Sequence, residues 1–215
     1  ILGFVVLKEY KVNKSIIFIS KLSLKDVKTF ILTGIIMNFL ASVVIDSLPN
    51  NLVSNSYNSL MNVAVTGNWL QVLLITGVIT PVVEELIFRY GITKIIKQNK
   101  FFKKPDVSSI YISAFVFGLV HFNIIQSTYA FIFGIILAYV YIKTDNLLSS
   151  ILIHIGVNAS SVLYSFMPVM LQNICLIVMS IIFFIIVIRN ILVIRNNSSH
   201  SNVNNFLSYL LYQTK

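Results

Sequence analysis

The chain has 215 residues, of which 57% are apolar and only 11% are charged, and its mean hydropathy is +0.87. Soluble domains carry about 25% charged residues, so these counts exclude an ordinary soluble enzyme, a nucleic-acid-binding protein and a disordered protein. The net charge of +9 does not change this, because Lys and Arg cluster between apolar stretches, as orientation signals do. The single cysteine, Cys175, rules out a disulfide framework. The composition predicts an integral membrane protein whose main partner is the lipid bilayer.

Six stretches are candidates to cross a hydrocarbon core about 30 Å thick. In chain order they are residues 29–48, 69–88, 107–125, 128–142, 147–166 and 169–188. The fourth is short, and we expect it either to be re-entrant or to extend into its flanks. The predicted fold is an all-α polytopic membrane bundle with about six transmembrane helices. It would form a single domain over residues 1–195, with a motif-bearing core at 69–166 and a polar tail at 196–215.

The basic residues alternate with these stretches. Lysines precede the first stretch and fill the connection at 94–104, one lysine ends the fourth stretch, and two arginines follow the sixth. The other connections contain no Lys or Arg. By the positive-inside rule, this pattern predicts that both termini are cytoplasmic. The chain opens on Ile1 rather than Met, so we expect a truncated or processed N-terminus without a cleaved signal peptide.

Several ionisable side chains fall within the predicted spans. Each costs on the order of 2.5–3.5 kcal/mol by insertion scales, and such residues usually mark function. They lie on three of the spans and are Glu84, Glu85, Arg89, His121 and His154. If they were buried singly, each would need its own partner, whereas converging residues satisfy one another. We therefore expect them to meet at one site.

Helical geometry separates the two adjacent carboxylates. Glu85 and Arg89 are four residues apart and share a helix face, which predicts a neutralising structural pair. Glu84 points about 100° away from Glu85, so it is left free to face a site. Pro81 either begins a new helix, which would place both carboxylates near a positive helix end, or only kinks a continuous one.

Each histidine has a partner one helical turn away. Phe117 precedes His121 by four residues, and Asn158 follows His154 by four. An amide at this spacing can hold the imidazole ring or donate to the same ligand. A lone membrane histidine, however, is more often a hydrogen-bonded packing residue than a catalyst.

Straight helices perpendicular to the membrane would place the candidate side chains at different depths in the bilayer. His121 would lie about 21 Å from the cytoplasmic end of its span, against about 10 Å for His154 and about 9 Å for Glu84, at 1.5 Å per residue. Tilt, a broken helix at Pro81 or a later start to the third helix must close this gap.

Taken in order, three motifs resemble those of the type II CaaX prenyl endopeptidase and bacteriocin-processing group of membrane proteases, called CPBP or Abi. EExxxR is present at residues 84–89, FxxxH at 117–121 and HxxxN at 154–158. The resemblance covers about residues 69–166. FxxxH alone is a weak signal, but the ordered trio in a six-span chain is specific.

The resemblance implies an intramembrane endopeptidase with named roles for its motif residues. Glu84 resembles the general base that activates water, helped by His121. His154 and Asn158 look like the pair that stabilises the oxyanion. The implied substrate is a peptide or protein.

Glu85 and Arg89 match the supporting positions of the first motif. This agrees with the helical geometry, which pairs Glu85 with Arg89 and leaves Glu84 free to face a site. The family is described both as metalloproteases and as metal-free enzymes that use a glutamate to activate water. Glu84, His121 and His154 would form a zinc set with an open water position. The implied cofactor is Zn²⁺ or another divalent metal, and a metal-free mechanism is the alternative.

Other classes of membrane protein fit less well. The HExxH, GxGD and GxSxG motifs of other membrane proteases are absent. A proton-coupled transporter also places Glu, Arg and His in its spans, but it would more naturally show repeated halves. A non-catalytic immunity or scaffold protein that keeps the fold is a third alternative. The Asn-, Ile- and Lys-rich composition is typical of low-GC bacteria. The resemblance then suggests a plasma-membrane protein in bacteriocin or peptide-signal processing, or in self-immunity.

Overall fold

The computed structural model describes residues 22–48, 66–182, 184–185 and 188, and throughout these ranges the regular structure is helical, without a strand. Within these ranges, the six helices are α1 (Leu24–Asp46), α2 (Trp69–Gln98), α3 (Pro105–Leu119), α4 (Ile124–Thr144), α5 (Leu147–Ser165) and α6 (Val169–Ile182). By length and composition, α1, α2, α4 and α5 could cross a membrane, while α3 and α6 are shorter apolar helices. The predicted all-α membrane bundle is confirmed.

α1 begins earlier than the predicted residue 29, because a capping box starts it. The Ser23 hydroxyl accepts a hydrogen bond from the Asp26 backbone, and the Asp26 carboxylate accepts one from the Ser23 backbone, both at 3.2 Å. These two bonds satisfy N–H groups that a helix start otherwise leaves open. Lys25 and Lys28, predicted to precede the span, therefore belong to the helix.

α2 continues beyond the predicted end at residue 88 and reaches Gln98. Lys94 and Lys97, predicted in the connection, lie in its last turns. Lys97 pairs with Asp106 at the start of α3, at 2.9 Å between Nζ and Oδ1. This contact links the two helices across their short connection.

The predicted end of the third span, at residue 125, was wrong. α3 stops at Leu119, and the chain turns through Phe122, whose φ is 53°. The Asn123 side chain then accepts hydrogen bonds from the Ile125 and Gln126 backbones and starts α4. Asn is a favoured residue at this capping position. His121 consequently lies in a turn, and the fourth span extends into its flanks instead of being re-entrant.

α5 is the central helix of the first compact unit. Half of its apolar window is buried, against 17–22% for the other three long helices. Gly34 of α1 and Gly156 of α5 bring these two helices together, since a Cβ on Gly34 would collide with the Ile153 carbonyl and one on Gly156 with the Ile31 carbonyl. Small residues commonly allow such close approach in membrane helices.

Contacts divide the chain into two compact units, Ile1–Gln172 and Asn173–Lys215. All the site residues predicted from the sequence lie in the first unit. The predicted single domain over residues 1–195 and its core at 69–166 stay predictions. The predicted tail at 196–215 and most of the connection between the first two predicted stretches, at 49–68, lie outside the described residues.

Candidate active site

The two adjacent carboxylates lie between two π-helical stretches of α2. Leu73–Ile79 and Leu86–Ile92 are π-helical, and Thr80–Glu85 between them is α-helical. The backbone on both sides of Pro81 stays right-handed helical, so no new helix begins at Pro81 to place its positive end near the carboxylates. π-helical turns inside α-helices are frequent at functional sites.

The predicted ion pair between Glu85 and Arg89 is present and fully buried. Arg89 Nε lies 3.1 Å from Glu85 Oε2, and both side chains have no exposed surface. Arg89 also donates from Nη1 to the Ser113 hydroxyl of α3 at 3.2 Å, and its guanidinium lies 4.8 Å from the centre of the Phe117 ring. A buried ion pair is tolerated only with such additional contacts.

His154 of α5 contacts both carboxylates. Its Nδ1 donates to Glu85 Oε1 at 3.0 Å, and its Nε2 lies 3.5 Å from Glu84 Oε2. Because Glu85 accepts, Nδ1 must carry a proton, which fixes the ring so that Nε2 faces Glu84. The Glu84 side chain is 23% exposed, whereas that of Glu85 is fully buried. Glu84 is thus the carboxylate open to the site, as helical geometry predicts.

Phe117 joins the two histidines. Its ring is edge-to-face with His121 at 5.0 Å and with His154 at 5.6 Å between centroids. The Phe117 carbonyl accepts a hydrogen bond of 2.7 Å from His121 Nδ1, which leaves Nε2 of that ring free of this contact. His121 is half-buried and is close enough to Glu84 for an electrostatic interaction. The depth gap expected for straight helices does not keep the imidazoles apart.

The Asn158 side chain points to the backbone of α2. Its Nδ2 donates to the Thr76 carbonyl at 3.1 Å, one helical turn along α5 from His154. The oxyanion role implied for Asn158 stays a prediction.

Two serines of the site were not identified from the sequence. The Ser113 hydroxyl accepts from Arg89 and donates to the Phe88 carbonyl at 2.9 Å. Ser150 lies beside the Glu85 carboxylate, and its hydroxyl donates to the Leu147 carbonyl at 3.0 Å. A usable signal was present, because each serine precedes a motif residue by four positions: Ser113 precedes Phe117, and Ser150 precedes His154.

The candidate residues are of the types that bind a metal ion, but their side chains are not arranged as a set of metal ligands. Both imidazoles have Nδ1 occupied by an acceptor, the usual second contact of a metal-binding histidine. Within the described ranges, however, no three or more His, Cys, Asp or Glu side chains are grouped so as to hold a metal ion. The metal set Glu84, His121 and His154 stays a prediction, and the mechanism proposed below contains no metal step.

A family model for type II CAAX prenyl endopeptidase Rce1-like proteins matches residues 66–160, a segment that contains all three motifs. No curated protein and no solved structure gives a significant match. The resemblance found from the motifs is thus confirmed, and the chain carries at residues 66–160 a type II CAAX prenyl endopeptidase Rce1-like region, which indicates a membrane-embedded protease.

Proposed function

We propose that the chain is an intramembrane endopeptidase in which Glu84 activates the attacking water. The observation that carries this proposal is the unequal environment of the two adjacent carboxylates. Both oxygens of Glu85 are engaged, one by Arg89 and one by His154, inside a fully buried position. Glu84 is partly exposed and faces Nε2 of His154. A general base must reach both water and substrate, and only Glu84 meets that requirement.

The reaction needs one proton acceptor and one donor to the developing negative charge. Glu84 takes a proton from water while the water oxygen bonds to the scissile carbonyl carbon. His154, protonated on Nε2 between the two carboxylates, donates to the resulting oxyanion. Collapse of the tetrahedral intermediate breaks the C–N bond, and Glu84 returns the proton to the leaving amine. Removal of one oxyanion donor costs about 10²–10³-fold in kcat in soluble proteases.

His121 has a supporting part in this mechanism. Its ring is anchored through Nδ1 to the Phe117 carbonyl, and it lies close enough to Glu84 for an electrostatic interaction. We propose that Nε2 of His121 helps to orient the water for Glu84. Because His121 lies in the turn before α4, it can take this position without a helix having to present it.

The proposed substrate is an apolar peptide or protein segment that reaches the site from the bilayer. The site lies among apolar helices, and α2 and α5, which carry Glu84 and His154, could each cross a membrane. We place the protein in a bacterial plasma membrane with both termini cytoplasmic. Processing of a bacteriocin or signalling peptide, or self-immunity, is the role that we propose.

A test compares the wild type with Glu84→Gln, which keeps the side-chain shape and removes the charge. The purified protein in detergent is incubated with a quenched-fluorescence library of apolar peptides in H₂¹⁸O. Hydrolysis should place ¹⁸O in new C-terminal carboxyls, and Glu84→Gln should lower the rate about 10²–10⁴-fold. The matched control, Asp106→Asn, alters an exposed carboxylate in the pair with Lys97 and should cleave at the wild-type rate. Equal rates for Glu84→Gln and the wild type would contradict the proposal, and a transporter or a non-catalytic immunity protein would give no ¹⁸O-labelled product.

A further inference from the structure

The Thr76 carbonyl of α2 has lost its partner within its own helix. In the π-helical stretch, the Thr80 backbone N–H donates to the Ile75 carbonyl, five residues back. In the same register, the next backbone nitrogen would face the Thr76 carbonyl. That nitrogen belongs to Pro81, which has no N–H. In a membrane helix, such a freed carbonyl must find another donor.

Asn158 of α5 supplies that donor. Its Nδ2 lies 3.1 Å from the Thr76 oxygen, and this bond joins α5 to α2. The neighbouring residues explain why the bond can form. A Cβ on Gly77 would lie 3.2 Å from the Ala159 Cα, so the helices approach closely right beside the bond. Glycine at position 77 and proline at position 81 thus create the acceptor and bring it within reach of Asn158.

We propose that Asn158 is a positioning residue: by satisfying the Thr76 carbonyl, it keeps the backbone of α2 in the geometry that places Glu84 opposite His154. The same two helices carry these two groups, and His154 is one turn from Asn158. The inference rests on the proposed function for its effect on catalysis, but the helix–helix link itself does not. It differs from the role implied by the family resemblance, in which Asn158 donates directly to the oxyanion.

A double-mutant cycle separates the two roles. Asn158→Leu keeps roughly the side-chain volume and removes both amide hydrogens. Pro81→Ala restores a backbone N–H that can bond to the Thr76 carbonyl. If Asn158 acts by satisfying the Thr76 carbonyl, Pro81→Ala should return most of the activity lost in Asn158→Leu, because the new N–H satisfies the same carbonyl from within α2. An oxyanion donor cannot be replaced in this way, because the restored N–H lies within the backbone of α2.

The expected results are specific to each variant. Asn158→Leu should lower kcat about 10²-fold, as for a misplacement near 1 Å, with a smaller change in KM. Pro81→Ala alone should cleave near the wild-type rate, and the double variant should regain most of the loss. A double variant as slow as Asn158→Leu alone would overturn the proposal. If Pro81→Ala does not fold, Pro81→Ser carries the same N–H.

Thermal unfolding in detergent tests the link without any substrate. Asn158→Leu should lower the Tm, and Pro81→Ala should raise it again in the double variant. The control pair is Asn38→Leu with and without Pro81→Ala, because Asn38 is also a buried amide but lies on a different helix, α1. In the Asn38→Leu background, Pro81→Ala should not raise the Tm. If the wild type fails to cleave peptides but the Tm coupling is found, the proposed function fails and the link stands. Absence of the coupling, or equal restoration in the Asn38 pair, overturns the link.

Discussion

Glu85 and His154 are 69 residues apart in the chain, and a 3.0 Å hydrogen bond joins Glu85 Oε1 to His154 Nδ1. The other oxygen of Glu85 contacts Arg89 at 3.1 Å. One buried carboxylate therefore neutralises the guanidinium and orients the imidazole. In the proposed mechanism, this double engagement is the reason that Glu84, which faces the site, acts as the general base in place of Glu85.

Removing the charge of Glu85 alone should destabilise the folded protein. Glu85→Gln keeps the shape of the side chain but leaves Arg89 buried without its counter-ion, and it should lower the free energy of unfolding by about 3–5 kcal/mol. Replacing both charges, as in Glu85→Gln with Arg89→Met, should cost less than Glu85→Gln alone. Reversible unfolding in mixed detergent measures both. A double variant that is less stable than Glu85→Gln would contradict the assignment of the pair as mutually neutralising.

Phe117 should be the aromatic residue on which both histidines depend. It is 2% exposed and contacts His121, His154 and the Arg89 guanidinium. Phe117→Ala should lower the free energy of unfolding by about 3–5 kcal/mol. The remaining folded protein should also cleave peptides more slowly. Phe115 on the same helix is 56% exposed, so Phe115→Ala is the matched control and should change neither quantity much.

Packing of α1 on α5 should respond sharply to a single methyl group. A Cβ on Gly34 meets the Ile153 carbonyl, a backbone atom that cannot move aside alone. We expect Gly34→Ala to cost about 1–3 kcal/mol of stability, as overpacking does. Gly91→Ala is the comparison, because its Cβ would come no nearer than 3.5 Å to a neighbouring atom. That variant should be as stable as the wild type or more so. Equal Tm values for the two variants would argue against the close approach of α1 and α5.

The proposed mechanism needs no metal, so a chelator should leave peptide hydrolysis unchanged. The physical reason is the placement of His154, whose two ring nitrogens both face carboxylates. The assay compares rates before and after dialysis against EDTA, together with the metal content of the purified protein. Loss of activity that added Zn²⁺ restores, but Mg²⁺ does not, would instead support the metal set Glu84, His121 and His154.

Orientation in the membrane can be tested with two exposed positions. Lys100 lies in the connection between α2 and α3, and Phe122 lies in the turn between α3 and α4, where it is 92% exposed. In a Cys175→Ser background, Lys100→Cys should react with an impermeant maleimide only from the cytoplasmic side, and Phe122→Cys only from the other side. The reverse labelling pattern would invert the predicted topology.

The sequence by itself determined that this protein lies in a lipid bilayer, and it identified most of the candidate site residues. So few charges over so many apolar residues are compatible only with a bilayer, and the six apolar stretches follow from that composition. The pairing of Glu85 with Arg89 was also predictable, because both lie on one helix and the spacing of a helix is known. The three motifs indicated the family from the sequence alone, because each motif is a local pattern of residues.

Only the tertiary structure decided which groups meet and where the helices depart from regular geometry. The hydrogen bond between Glu85 and His154 joins separate helices, and no local spacing specifies it. The end of α3 before His121 depends on the turn through Phe122. The π-helical stretch Leu73–Ile79 and Pro81 leave the Thr76 carbonyl without a partner in its own helix, and Asn158, on another helix, donates to it. The bonds of Glu85 with His154 and of Thr76 with Asn158 join segments that are remote in the chain, so they form only once the helices have packed.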